Sequence, residues 1–222
     1  MPMAERQIVA CGGFAVGTAL FDFALELSRG RRVLYVPTAS MEDPGGIVRI
    51  YEALRGSAEV THLRFNPWPP NDLRELVLAH DLIYVGGGNT ANMLAVWRVH
   101  GFDEVLREAW DSGTVLSGSS AGMICWFEAG VTDSFGAQLA GMRDGLGFLP
   151  GSACPHYDGE ELRRPRYREL VDGGFPAGYA ADDGVGLHFV GTELHEVVTV
   201  REGATGYRVT PGSETPLEAR LL

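Results

Sequence analysis

The segment Gly118-Ser119-Ser120-Ala121-Gly122 constrains this chain more than any other. It follows the apolar run Thr114 to Leu116 and precedes the helix-compatible Met123-Ile124-Cys125-Trp126-Phe127, the strand-turn-helix setting that a G-x-S-x-G elbow requires. A turn this tight strains the dihedrals of its central residue and presents that side chain clear of the sheet. The flanking glycines are needed because a Cβ there would meet the neighbouring strand and helix. Ser120 is therefore a candidate nucleophile at a helix N-terminus, where free amides stabilise developing negative charge. The bland reading is a small-residue turn that packs closely.

Such an elbow sits on a parallel sheet, and the first half of the chain has the pattern of one: short apolar runs alternate with amphipathic stretches. Strands are expected at Ile8 to Cys11, Arg32 to Val36, Val60 to Phe65, Leu82 to Val85 and Thr114 to Leu116. Helical spacing covers Ala15 to Ser28, Gly45 to Arg55, Asp72 to Ala79, Asn92 to Trp97 and Asp103 to Trp110, with Asp72 and Glu75 spaced as a capping box. The predicted fold is α/β, a doubly wound, mostly parallel sheet with flanking helices and the elbow after the fifth strand. Glycines and prolines from Gly130 to Gly159 read as long loops that carry the site. A helix is expected from Glu160 to Val171, then more antiparallel strands at Gly186 to Val190, Glu196 to Arg201 and Gly206 to Val209. With no linker or repeat, residues 1–222 read as a single domain.

Composition removes several function classes. Twenty-nine acidic against 18 basic residues give a net charge of −11, which repels nucleic acid and anionic membranes. All 18 basic residues are arginine, so Schiff-base chemistry, a phosphate-loop lysine and a Ser-Lys dyad are excluded. Cys11, Cys125 and Cys154 lack metal or CxxC spacing and read as buried small hydrophobes in a reducing compartment. No long apolar run or leader pattern is present at Met1 to Arg6, so a cytoplasmic location is expected.

A second glycine run, Gly86-Gly87-Gly88-Asn89-Thr90-Ala91, also follows a strand and opens a helix. It satisfies the dinucleotide fingerprint, but on the fourth strand rather than the first and without an acidic residue closing the next strand. The favoured alternative is that an amide near Gly87 or Gly88 completes an oxyanion hole with the amide of Ala121. Of six histidines, His62, His80, His100, His188 and His195 fall in or beside regular elements, whereas His156 lies in a turn-rich loop suited to reaching another element.

Taken together, Gly86-Gly87-Gly88-Asn89-Thr90, Gly118-Ser119-Ser120-Ala121-Gly122 and Pro155-His156-Tyr157 resemble the peptidase E (aspartyl dipeptidase) family of serine peptidases, to which cyanophycinase is related. The resemblance implies a core like that of class I glutamine amidotransferases, with Ser120 as nucleophile, His156 as general base, and Gly88 and Ala121 supplying oxyanion amides. It implies no metal and no organic cofactor, and a short peptide substrate, such as a dipeptide beginning with Asp. Gly87 and Asn89 are read as substrate contacts. Partners are expected to be short peptides, with a homo-oligomer left open.

The third triad member is ambiguous. Asp133 matches the acidic position after the elbow in aspartyl dipeptidases, and Asp183 matches the later acidic residue of the cyanophycinase relatives; both also suit turns. Asp183 is preferred, because a short loop after the elbow helix is expected to lead away from the nucleophile, whereas a returning strand brings Asp183 behind His156. Arg163, Arg164 and Arg166 are candidate partners for a substrate carboxylate, against a solvated helix start paired with Glu160, Glu161 and Glu169. Cys125-Trp126-Phe127-Glu128 departs from the aspartyl dipeptidase pattern, and Glu128 brings an anion toward a pocket meant to receive one. The alternatives are an α/β-hydrolase esterase with His188 or His195 as base, and a nucleotide-binding oxidoreductase using Gly86 to Ala91.

Overall fold

A computed structural model describes residues 5–13 and 15–222. In chain order the elements are β1 (Gln7–Cys11), α1 (Ala19–Glu26), β2 (Arg32–Val36), α2 (Pro44–Ala53), β3 (Glu59–His62), α3 (Leu73–Leu78), β4 (Leu82–Val85), α4 (Thr90–Val99), α5 (Phe102–Asp111), β5 (Val115–Ser119) and α6 (Ala121–Ile124). There follow β6 (Phe127–Thr132), β7 (Ala140–Met142), β8 (Leu149–Cys154), α7 (Arg163–Asp172), β9 (Gly178–Ala181), β10 (Val185–Val190), β11 (Glu193–Thr199), β12 (Gly206–Thr210), β13 (Ser213–Pro216) and β14 (Ala219–Leu221).

An eight-stranded sheet runs in the order β14-β11-β10-β1-β5-β4-β2-β3. Its β1, β5, β4, β2 and β3 are mutually parallel, as the βα alternation requires, and β10 lies antiparallel on the far side of β1. Successive residues of β1 feed opposite faces. Ile8 and Ala10 join the cluster containing Trp97, Phe102 and Trp110 of α4 and α5, and Val9 and Cys11 join Leu20 and Phe21 of α1. Burial on both faces explains why β1, β2 and β4 are near-continuous apolar runs, whereas edge strand β3 is part-exposed and polar.

The stretch from Gly130 to Gly159 corrects the expectation of long loops. It contributes β6, β7 and β8 to a second sheet of six strands, ordered β13-β12-β9-β8-β6-β7. Gly136 and Gly147 do lie between strands with positive φ, but Gly130 and Gly141, within strands, mark close packing. A Cβ on Gly130 would lie 2.5 Å from Ile124 Cγ2, and one on Gly141 would lie 2.7 Å from the Phe175 ring. The elbow helix is also shorter than expected, ending at Ile124, because buried Phe127 already begins β6 and packs edge-on against Phe189 of β10. Asp72 precedes α3, but its side chain makes no capping bond.

The two sheets meet through one connection that positions the site. β8 and β9 are parallel neighbours with Cys154 opposite Ala180, and the chain passes from β9 directly into β10 of the first sheet. The ends of β8 and β9 therefore abut the end of β1.

Candidate active site

Three consecutive carbonyls at the end of β1 bind three segments of the site. The carbonyl of Cys11 accepts the N–H of Ser120 at 3.3 Å, that of Gly12 accepts the N–H of His156 at 3.3 Å, and that of Gly13 accepts the N–H of Gly184 at 3.1 Å. Strand order explains the convergence: β5 lies on one side of β1 and β10 on the other, with Cys11 in register with both Ser119 and Gly186. Segments far apart in sequence are thus fixed to one strand end by backbone bonds.

Ser120 follows β5 with φ 59° and ψ −112°, dihedrals an L residue adopts only under strain. Space at the elbow is as tight as the pattern implies, since a Cβ on Gly118 would lie 2.6 Å from the Gly122 carbonyl and 2.7 Å from that of Val85. The neighbouring serines are engaged internally: Ser119 Oγ pairs with Tyr84 Oη at 2.6 Å and Ser117 Oγ donates to the Val9 carbonyl at 3.0 Å. Ser119 is buried, whereas Ser120 is half-buried.

His156 stands two residues beyond β8, with φ 53°. Its Nδ1 is 2.6 Å from Asp183 Oδ1, and the two side chains are 18% and 12% exposed. A carboxylate on Nδ1 fixes the tautomer with a proton there, so Nε2 is the basic nitrogen of the neutral ring. Asp183 is held in turn, because Asp158 accepts the Asp183 N–H at 2.9 Å and Arg201 donates to both the Asp183 carbonyl and Asp158, each at 2.9 Å. Gly13 completes the packing. A Cβ there would overlap the Asp183 carboxylate and lie 2.8 Å from His156 Cε1.

The chain after the elbow does not lead away, contrary to expectation. β6 runs parallel to β8, so Asp133, one residue past β6, ends on the same side as His156. Asp133 is exposed, and the carboxylate on Nδ1 is that of Asp183. The turn at Asp133 instead braces the glycine run, with Ser134 accepting from Asn89 Nδ2 at 3.0 Å and from the Ala91 N–H at 3.2 Å.

The glycine run lies against the elbow, where a Cβ on Gly87 would sit 3.2 Å from Ser120 Cβ. The N–H groups of Gly86 and Asn89 bind the carbonyls of Val36 and Ala39. Between them Gly88 has φ 134° and its Cα faces the Ala39 carbonyl so closely that a side chain would overlap it, so only glycine fits. Asn89 caps α4 by accepting from Asn92 N–H at 2.9 Å.

The arginines after His156 hold the protein's own groups. Arg163 is 3% exposed and donates to Glu160 at 2.6 Å and to the Val131 carbonyl at 2.9 Å. Arg164 pairs with Glu214 over the rings of Tyr157 and Tyr207. Arg166 binds Glu169 and the Leu139 carbonyl. Glu128 points its carboxylate to the Gly151 N–H at 2.8 Å. The reading from sequence missed Gly12, Gly13, Asp158 and Arg201; the paired glycines directly after the first strand were the one visible signal, since residues that must let other segments approach are kept small.

A half-buried elbow serine and an Asp-paired histidine, anchored to adjacent residues at one strand end of an α/β sheet, are the arrangement that serine hydrolases use. The model of Peptidase family S51 matches residues 14–197, and the chain belongs to that family and is a serine peptidase. It is 45% identical over 230 residues to the uncharacterized peptidase YgaJ of Bacillus subtilis (strain 168), covering 98% of this chain and 99% of the relative. In fold it is similar to a peptidase from an acI-B1 Actinobacterium, with TM-score 0.73 at 21% identity over 98% and 95% of the two chains. It is similar also to a candidate peptidase E of Listeria monocytogenes EGD-e, with TM-score 0.69 at 20% identity over 89% and 100%. The esterase and oxidoreductase alternatives give way to this family. Consistent with that, His188 and His195 belong to β10 and β11 rather than to the elbow. Among the described residues, no helix is long and apolar enough to cross a membrane.

Proposed function

We propose that this serine peptidase hydrolyses short peptides by acyl transfer with Ser120 as nucleophile, His156 as base and Asp183 as orienter. The observation that carries the proposal is the row of β1 carbonyls, which binds the backbone of Ser120, His156 and Gly184 at successive residues. In this reading Ser120 Oγ attacks the scissile carbonyl carbon while His156 Nε2 takes its proton. The imidazolium is stabilised through the Nδ1–H bond to Asp183, and the amides of Gly88 and Ala121 receive the oxyanion. Collapse expels the amine, which takes the proton from Nε2; water then attacks the acyl-enzyme with the same histidine as base.

For the substrate we infer dipeptides or N-terminal Asp-Xaa bonds, on the resemblance to aspartyl dipeptidases. The bonds made by Arg163, Arg164 and Arg166 argue that these residues shape the loop around His156 rather than receive the Asp carboxylate directly. A dipeptide panel tests the reading: Asp-Xaa is expected to be cleaved at least tenfold faster than Asn-Xaa, about 1.4 kcal/mol of transition-state discrimination. Equal rates remove the acidic preference and leave the triad standing.

A further inference from the structure

Away from Ser120, a buried polar atom stands out at Nδ1 of His188. The side chain is 4% exposed, and among the described residues this nitrogen has no hydrogen-bond partner. Its tautomer is set from behind. Gln7 Nε2 donates to the Leu27 carbonyl at 3.4 Å, which turns Gln7 Oε1 toward His188 Nε2–H at 2.9 Å. Nδ1 therefore carries a bare lone pair. Facing it at 3.8 Å is Oε1 of Glu196, whose other oxygen is held by Nε and Nη2 of Arg220 at 3.0 and 2.8 Å. Two acceptors turned toward each other, the imidazole one buried and the carboxylate partly so, are unfavourable unless a cation or a proton lies between them.

A strand irregularity brings in a third donor. The register of β10 and β11 shifts after His188, so that His188 faces Glu196 while Phe189 faces Leu194. His195 is the extra residue of this bulge, and bulges re-aim side chains. Its ring meets that of His188 edge to face at 5.3 Å. Donor atoms of His188, His195 and Glu196 all lie within 4.8 Å of one another.

We propose that His188, His195 and Glu196 form a binding site for a divalent transition metal of the zinc class, clipping β10 to β11. Two imidazoles and a carboxylate are the donor set such ions take, and the bonds from Gln7 and Arg220 are the outer-shell supports that orient ligands. Tetrahedral ligands stand about 3.4 Å apart, so exposed His195 closes the remaining gap and leaves a fourth position to water. The site lies apart from the elbow and serves stability: β10 begins two residues after Asp183, so a clip here steadies the strand that follows the orienter.

The test uses the full chain stripped with EDTA. One Co2+ per chain is expected to bind with the visible absorption of imidazole ligation. Zn2+ at about 100 times its dissociation constant is expected to raise the melting temperature by about 5 °C or more, and Mg2+ to leave it unchanged. His195→Ala removes an exposed ring without emptying the core, and Glu196→Gln keeps the shape of its side chain; each is expected to weaken Co2+ and Zn2+ binding at least tenfold while melting like wild type in metal-free buffer. No Co2+ binding by wild type, or an undiminished shift in His195→Ala, overturns the site.

Discussion

Cys154 and Ala180 face each other across the parallel pair β8 and β9, and the chain then delivers His156 two residues past one strand and Asp183 two residues past the end of the other. The histidine and its carboxylate are thus mounted on neighbouring strands of one sheet, and the serine on the other.

If Ser120 is the nucleophile, a fluorophosphonate probe labels the wild type at this residue and leaves Ser120→Ala unlabelled. The variant is expected to fold normally, because a hydroxyl at a half-buried turn supports no core. Ser120→Ala and His156→Ala are each expected to lower turnover by about 10⁶ and not to add when combined, since the two act as one unit. Labelling at another serine, read by mass spectrometry, contradicts the assignment.

Neutralising Asp183 has a smaller, separate signature. Asp183→Asn is expected to reduce turnover by about 10⁴ through loss of the correct tautomer, with slow labelling remaining. Asp133→Asn, exposed and off Nδ1, is expected to cost less than about tenfold. The reverse ranking in steady-state kinetics transfers the role to Asp133.

Gly13→Ala probes the packing behind the histidine. Its methyl group must push His156 or Asp183 aside, and displacements of about 1 Å at reacting groups cost on the order of 10² in rate. Turnover is expected to fall by that factor or more while the circular dichroism spectrum is retained. Wild-type turnover in this variant shows that the pair tolerates movement.

Arg163→Met separates structural from substrate roles. It removes the donor to the buried Val131 carbonyl, at a cost of about 1–3 kcal/mol readable in the urea midpoint. The ratio of Asp-Xaa to Asn-Xaa cleavage is expected to stay as in wild type; a collapse of that ratio makes Arg163 a substrate contact.

The cysteines give a pH dependence. Burial pushes the thiols of Cys11 and Cys154 up to about 12, whereas an unfolded thiol ionises near about 8.5. Their contribution is complete below the unfolded value and is lost as pH rises toward the folded one, about 2 kcal/mol per thiol by about pH 10. The urea midpoint is expected to fall over that interval, and less steeply in Cys154→Ala. Iodoacetamide at pH 8 is expected to modify the thiols only after denaturation.

The parts legible from sequence were those in which one local rule decides. Arg32 to Val36 and Leu82 to Val85 read as strands because a short apolar run bounded by charged residues, proline or glycine has few other solutions, and the structure has β2 and β4 at those residues. The glycine-rich stretch through Gly130 and Gly141 failed, because glycine there answers to Ile124 and Phe175, which no local pattern reveals. In the site, the neighbourhood of Ser120 and the glycine run follows from adjacent strands. The bond from Asp183 to His156, by contrast, depends on β8 pairing with β9, and the supports from Asp158 and Arg201 are set by tertiary approach alone.

The row of carbonyls at the end of β1 has a consequence for how activity arises during folding. Cys11 pairs with Gly186 across nearly the whole chain, and contacts of such sequence separation close late because loop entropy is lost before the contact repays it. No partial structure lacking the β1–β10 pairing holds all three segments. Peptidase activity is thus expected to return in step with the slowest closure of the sheet during refolding, after helical signals have recovered.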